Sequence, residues 1–109
     1  MEHLDYDTLN TLKDVMEDDF ALLLDTFIQD STERIRTLRS VIQQLDADLI
    51  RRAAHSFKGS CSNIGALKLS ALCAALEKKA LEHKLEGLSI DIDAIEQEFN
   101  QVQSLLSSL

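Results

Sequence analysis

From Asp19 onward, apolar residues recur at steps of three and four: Phe20, Leu24, Phe27, Ile35, Leu38, Ile42 and Leu45, with Ser31 on the same seam. That spacing turns one side of a helix toward a core. The run Asp30-Ser31-Thr32-Glu33 imitates a capping box, which would start a new helix there. The seam passes through it unbroken, so one long helix is expected. Upstream, a short helix is expected from about Asp7 to Val15, capped by Asp5 or Asp7, with Leu9 and Leu12 facing inward.

Downstream, Asp46 sits where it can cap a third helix that sends Leu49, Ile50, Ala53, Ala54, Phe57, Cys61 and Ile64 to the core. Gly65 then ends that helix as a left-handed cap. A fourth helix is expected from Ala66 to about His83, burying Leu69, Leu72, Cys73, Leu76 and Ala80 and stopping near Gly87. The last starts near Ser89 and repeats Ile92, Ile95, Phe99, Val102, Leu106 and Leu109 at heptad-like spacing. Four long helices with short links predict an all-α chain: an antiparallel up-down four-helix bundle with a short additional N-terminal helix, one domain over residues 1–109.

Composition agrees. There is no proline, only three glycines, and 45% of the 109 residues are hydrophobic against 28% charged. A chain of this length can bury roughly two-thirds of its surface without disulfides or metals. The net charge of −8 opposes nucleic acid and anionic membranes, whose phosphates are bound by clustered Lys and Arg. Neither a secretory leader nor a run of about 20 apolar residues is evident. Cys61 and Cys73 fall in apolar helical patterns as small buried residues. A cytoplasmic setting is expected.

The chemistry concentrates on the third helix. At about 100° per residue, Asp48, Arg51, Arg52, His55, Lys58, Gly59 and Ser62 share the side on which His55 points outward. Gly59 costs about 1 kcal/mol relative to alanine inside a helix, and one turn beyond His55 it clears room for another molecule. Lys58 can reach over the same spot with a charge that favours an anion, and Arg51 and Arg52 add positive charge to an acidic chain. A neutral imidazole carries a free lone pair and is a nucleophile able to form a covalent intermediate. There is no phosphate-binding loop and no kinase-type glycine-rich loop, hence no visible ATP site. Cys61 is turned about 240° from His55, so the two form no dyad. His3, His55 and His83 lack metal-ligand spacing. The histidine is expected to take a phosphoryl group from one protein and pass it to another.

The stretch "AHSFKGSCSNIGA" followed by "LKLSALCAALE" resembles the histidine-containing phosphotransfer (HPt) family. Its pattern is approximately A-H-x-L-K-G-S-[SA]-x-x-[IL]-G-A, then L-x-x-x-C-x-x-L-E. Ala54, His55, Lys58, Gly59, Ser60, Gly65, Ala66, Leu69, Cys73, Leu76 and Glu77 match it, while Phe57 replaces the usual leucine at an inward position. The resemblance spans nearly the whole chain, is specific around the histidine, and implies a phosphocarrier of multistep two-component phosphorelays. His55 is then the phosphorylated residue, Lys58 supports the phosphate and Gly59 admits the partner, with Nε2 as the expected phosphorylated nitrogen. The implied partners are receiver domains of hybrid sensor histidine kinases and of response regulators. No cofactor is expected in this chain, magnesium belonging to the receiver's acidic site.

The family also places docking on an apolar patch near the histidine. Met16, Phe20 and Leu23 are candidates, with Gln29 on the polar flank and Arg51, Arg52 and Ser62 beside His55. The core is the competing assignment for the three apolar residues. A stand-alone, monomeric carrier is expected. The rival reading is an adaptor bundle that binds a receiver or regulator without being phosphorylated.

Overall fold

Two aspartates start two helices in the same way. Asp5 accepts hydrogen bonds from the backbone N–H groups of Asp7 and Thr8, and Asp46 from those of Asp48 and Leu49, both with extended backbone. Each such cap contributes about 1 kcal/mol by satisfying amides that the helix leaves unpaired. The computed structural model describes all 109 residues. It contains α1 (Tyr6–Met16), α2 (Phe20–Val41), α3 (Ala47–Ile64), α4 (Leu67–Leu81) and α5 (Leu88–Ser107), with 3₁₀ turns at Glu17–Asp19 and Ile42–Gln44 and no strand. Helix α2 runs through the false capping box, where the Thr32 hydroxyl donates to the Ile28 carbonyl one turn back.

Helices α2 to α5 close a ring: α2 packs against α3 and α5, and α4 packs against the same two. Their apolar stripes meet in one cluster of 23 buried residues. Phe57, Ile50, Cys61, Leu69, Leu76, Cys73 and Ile92 are fully enclosed there. Burying a side chain such as Phe57 contributes about 1.5–3 kcal/mol, and α3 supplies such residues at every turn. No helix is long and apolar enough to cross a membrane.

Three inward assignments fail at helix ends. Leu45 takes a left-handed conformation (φ 53) and is 65% exposed, because α2 gives way to a 3₁₀ turn before reaching it. Leu49 is exposed in the first turn of α3, and Leu109 is exposed beyond the end of α5. Ala53 and Leu72 are only half-buried, packing against the edge of the core. A 3.6-residue period holds only while the helix lasts, so its outermost members lose their facing element.

The α3–α4 turn is built around Gly65. Its φ of +81 is left-handed, and a Cβ there would stand 3.1 Å from Thr8 Cβ and 3.2 Å from the Asp5 carbonyl oxygen. Both conformation and space therefore require glycine. The amino-terminal segment lies on this turn. The Asp5 amide donates to the Gly65 carbonyl, and the Leu67 amide donates to the His3 carbonyl. Ala66 gives α4 no side-chain cap, so the backbone of His3 satisfies a donor at its start.

Candidate functional site

His55 projects from the middle of α3 with its side chain 63% exposed. The helix is fixed beneath it by Ala54 and Phe57, both fully buried. Its imidazole is not free to spin, because Nδ1 lies 2.7 Å from Oε2 of Glu77 on α4. A carboxylate only accepts, so Nδ1 carries the proton and donates. In the neutral ring the lone pair then resides on Nε2. This is the nitrogen that the resemblance also designates, reached here from the hydrogen bond.

Glu77 has a second partner. Lys58 Nζ donates to its Oε1 at 2.7 Å, so one carboxylate bridges the lysine and the histidine. The hydrogen bond from Lys58 foremost, then that from His55, holds the Glu77 carboxyl below its ordinary value of 4.5 although partial burial opposes this. The carboxylate is thus more acidic in the fold than in the unfolded chain. Its bridge contributes fully above the ordinary value and is lost as pH falls through the lowered one. Lys58, expected to reach over the same spot as His55, is joined to Glu77.

Other expected neighbours are also engaged. Arg51 and Arg52 both pair with Asp48, at 2.9 and 3.0 Å, which offsets much of the positive charge that the sequence places there. The Ser62 hydroxyl meets that of Ser70, 2.8 Å away on α4. Taking about 100° per residue, Lys58 and Ser62 turn from His55 toward α4, while Ser56, Gly59 and Asn63 turn the other way, toward α2.

On that α2 side a groove opens beside His55. Its walls include Leu12 and Met16 of α1, Leu23, Phe27 and Arg34 of α2, and Gly59 of α3. Of the docking candidates, Met16 and Leu23 line this groove. Phe20 is 8% exposed in the core, and it is absent from the groove, as is Gln29, which is exposed on another side of α2. Phe20 falls on the buried seam of α2 with Leu24, and Gln29, six residues beyond Leu23, is turned about 120° away from it. Gly59 is exposed, and a Cβ built on it meets nothing within 4 Å. Its absent side chain is not a requirement of the fold.

Two site residues escaped the sequence reading. Glu77 appeared only as a motif match, without a role, because no periodicity within α3 or α4 pairs positions 22 residues apart. Arg34 was not singled out at all. It is the only lysine or arginine lining the groove, where Nε donates to Asp30 at 2.6 Å and Nη1 to Ser56 at 2.7 Å. Its signal was slight: an arginine one position before Ile35 on the buried seam. Cys61 is buried as expected. Hydrogen bonding with Cys73, then burial, pushes its thiol far above the usual range, which removes it as a nucleophile.

A helical bundle presenting one exposed, carboxylate-backed histidine has the architecture of a histidine phosphotransfer protein. The Hpt domain family model matches residues 22–105, and the chain belongs to that family. Among solved structures it is similar to histidine-containing phosphotransfer protein B (HptB) from Pseudomonas aeruginosa PAO1. The TM-score is 0.94 with 43% sequence identity, over 97% of this chain and 92% of that one. None of the curated proteins matches the chain. It is a histidine phosphotransfer protein of a phosphorelay, a class that interacts with receiver domains.

Proposed function

We propose that His55 accepts a phosphoryl group from the aspartyl phosphate of a hybrid sensor kinase's receiver and passes it to the receiver aspartate of a response regulator. The bundle serving it is antiparallel and up-down, with α1 as an added amino-terminal helix. The observation that carries the reading is the Glu77 bridge, which fixes the imidazole tautomer and orientation at an exposed position.

In the forward step the Nε2 lone pair attacks phosphorus. The bond from phosphorus to the aspartyl oxygen breaks, its electrons leave with the carboxylate, and a P–N bond forms. Positive charge develops on the ring as it loses that lone pair. Glu77 stabilises the charge through the Nδ1–H bond, a contact that strengthens toward the transition state. The return step reverses each change with a second aspartate as nucleophile. Lys58 holds Glu77 ionised and is placed to shift toward the new phosphate. Magnesium is supplied by the receiver, and the chain needs no ATP site because the phosphoryl group arrives already activated as an acyl phosphate.

Incubation with a receiver domain carrying labelled aspartyl phosphate tests the reading. Label is expected on this chain in an acid-labile, base-stable form, and a complex without label would leave only an adaptor role. A second measurement addresses Glu77. Glu77→Gln keeps an acceptor for Nδ1–H but loses the charge, and is expected to slow transfer about tenfold in rapid-quench time courses, equivalent to ~1.4 kcal/mol. An unchanged rate would remove Glu77 from the chemistry.

A further inference from the structure

Glu98 breaks the apolar pattern of α5. It lies on the buried seam between Ile95 and Phe99 and is 4% exposed. A carboxylate so placed persists only where partners compensate for lost water. Its oxygens stand 2.9 and 2.7 Å from His3 Nδ1, and Lys68 Nζ is 3.9 Å from one of them. The histidine comes from the other end of the chain, 95 residues away. Helix α5 thus grips His3.

That grip continues into α1. Beside His3, Leu4 is 1% exposed in the core. The His3 carbonyl and the Asp5 amide are bonded to either side of the α3–α4 turn, and Asp5 is the cap of α1. Three successive residues are therefore fixed to α5, the core and the turn. Helix α1 has only a modest hold of its own: Leu9 is its one fully buried residue, and Leu12 and Met16 are partly buried against the edge of the core. Yet α1 supplies Leu12 and Met16 to the groove beside His55.

We propose that His3 and Glu98 are positioning residues for receiver docking: their latch fixes the amino-terminal strap, and the strap sets the α1 wall of the groove. The inference rests on the groove being the receiver's docking face. Neither residue lines that groove, so the latch alters docking through α1 and leaves the chemistry at His55 untouched.

The test uses the full chain and three variants. His3→Ala strands the buried carboxylate and risks unfolding. Glu98→Met removes the carboxylate, keeps the seam filled and releases His3 without leaving a buried charge, because the side chains of His3 and Lys68 are both partly exposed. His3→Asn retains an N–H donor close to the position of Nδ1. Three quantities are compared: the receiver concentration giving half-maximal transfer, the maximal rate, and amide hydrogen exchange across Tyr6–Met16. Labelling by phosphoramidate, a small donor that needs no docking face, is the control.

For Glu98→Met the half-saturating receiver concentration is expected to rise about tenfold. Exchange in α1 should quicken, while the maximal rate, phosphoramidate labelling and melting temperature hold. His3→Asn should stay near wild type. Unchanged α1 exchange and half-saturation in Glu98→Met would overturn the proposal. So would a fall in maximal rate alone, or a His3→Asn variant that behaves as if unlatched. If the wild type accepts label from phosphoramidate but from no receiver, the docking reading fails, while exchange in α1 still decides whether the latch holds that helix.

Discussion

His55→Gln is expected to abolish phosphoryl acceptance while leaving the fold intact. Glutamine has no ring nitrogen with an available lone pair; its amide nitrogen is delocalised into the carbonyl and is a poor nucleophile. Its N–H group can still donate to Glu77, so the carboxylate bridging His55 and Lys58 at 2.7 Å keeps a partner. The side chain is 63% exposed, and exposed substitutions away from caps and packing usually change stability by less than about 0.5 kcal/mol. The measurement is transfer of label from a phosphorylated receiver, run beside circular dichroism and thermal melting. No label above background is expected, with unchanged helix content and melting temperature. The variant should still compete with wild type for the receiver, because His55 is only one of the residues lining the groove and Met16, Leu23 and Gly59 stay in place. Undiminished label would place the phosphoryl group on another residue and sink the assignment. Loss of label together with loss of competition would mean that the histidine holds the receiver rather than the phosphate.

The helices were legible because their determinants are local. Asp46 and Gly65 bound α3 by capping chemistry that acts within a few residues. The seam from Phe20 to Leu38 needs only a period to be read. His55, Lys58 and Gly59 were legible because one helix displays them. What escaped depends on contacts between helices. The face drawn around His55 was centred on the histidine, whereas the groove lies to its α2 side and Lys58 is drawn to the α4 side by Glu77. A single-helix projection gives directions but not what stands in each direction. Arg34 and Glu77 belong to the site only because α2 and α4 flank α3. Glu98 shows the same limit in the core: its seam position was readable, but a carboxylate there makes sense only once His3 is seen beside it.

Gly59 is expected to give opposite signs in two measurements. Inside α3, replacing it with alanine should stabilise the fold by about 0.5–1 kcal/mol, since the unfolded chain loses freedom and the helix gains a better former. Nothing in the fold opposes this, because the added Cβ meets no atom within 4 Å. For a domain of this size the gain corresponds to a melting temperature several degrees higher, at about 4–8 °C per kcal/mol. Gly59→Gln should keep part of that gain, glutamine also being a better helix former than glycine. Its longer side chain, however, extends into the groove on the side of His55 that a receiver must approach. Transfer from a phosphorylated receiver is expected to slow tenfold or more, equivalent to at least ~1.4 kcal/mol, while labelling by phosphoramidate stays close to wild type. The pairing of signs separates two accounts of the glycine. A residue retained for the fold would lose stability on substitution; one retained for a partner gains stability and loses transfer. Should Gly59→Gln transfer at the wild-type rate, the open space beside His55 would not be clearance for a receiver, and docking would have to use a different approach to the imidazole.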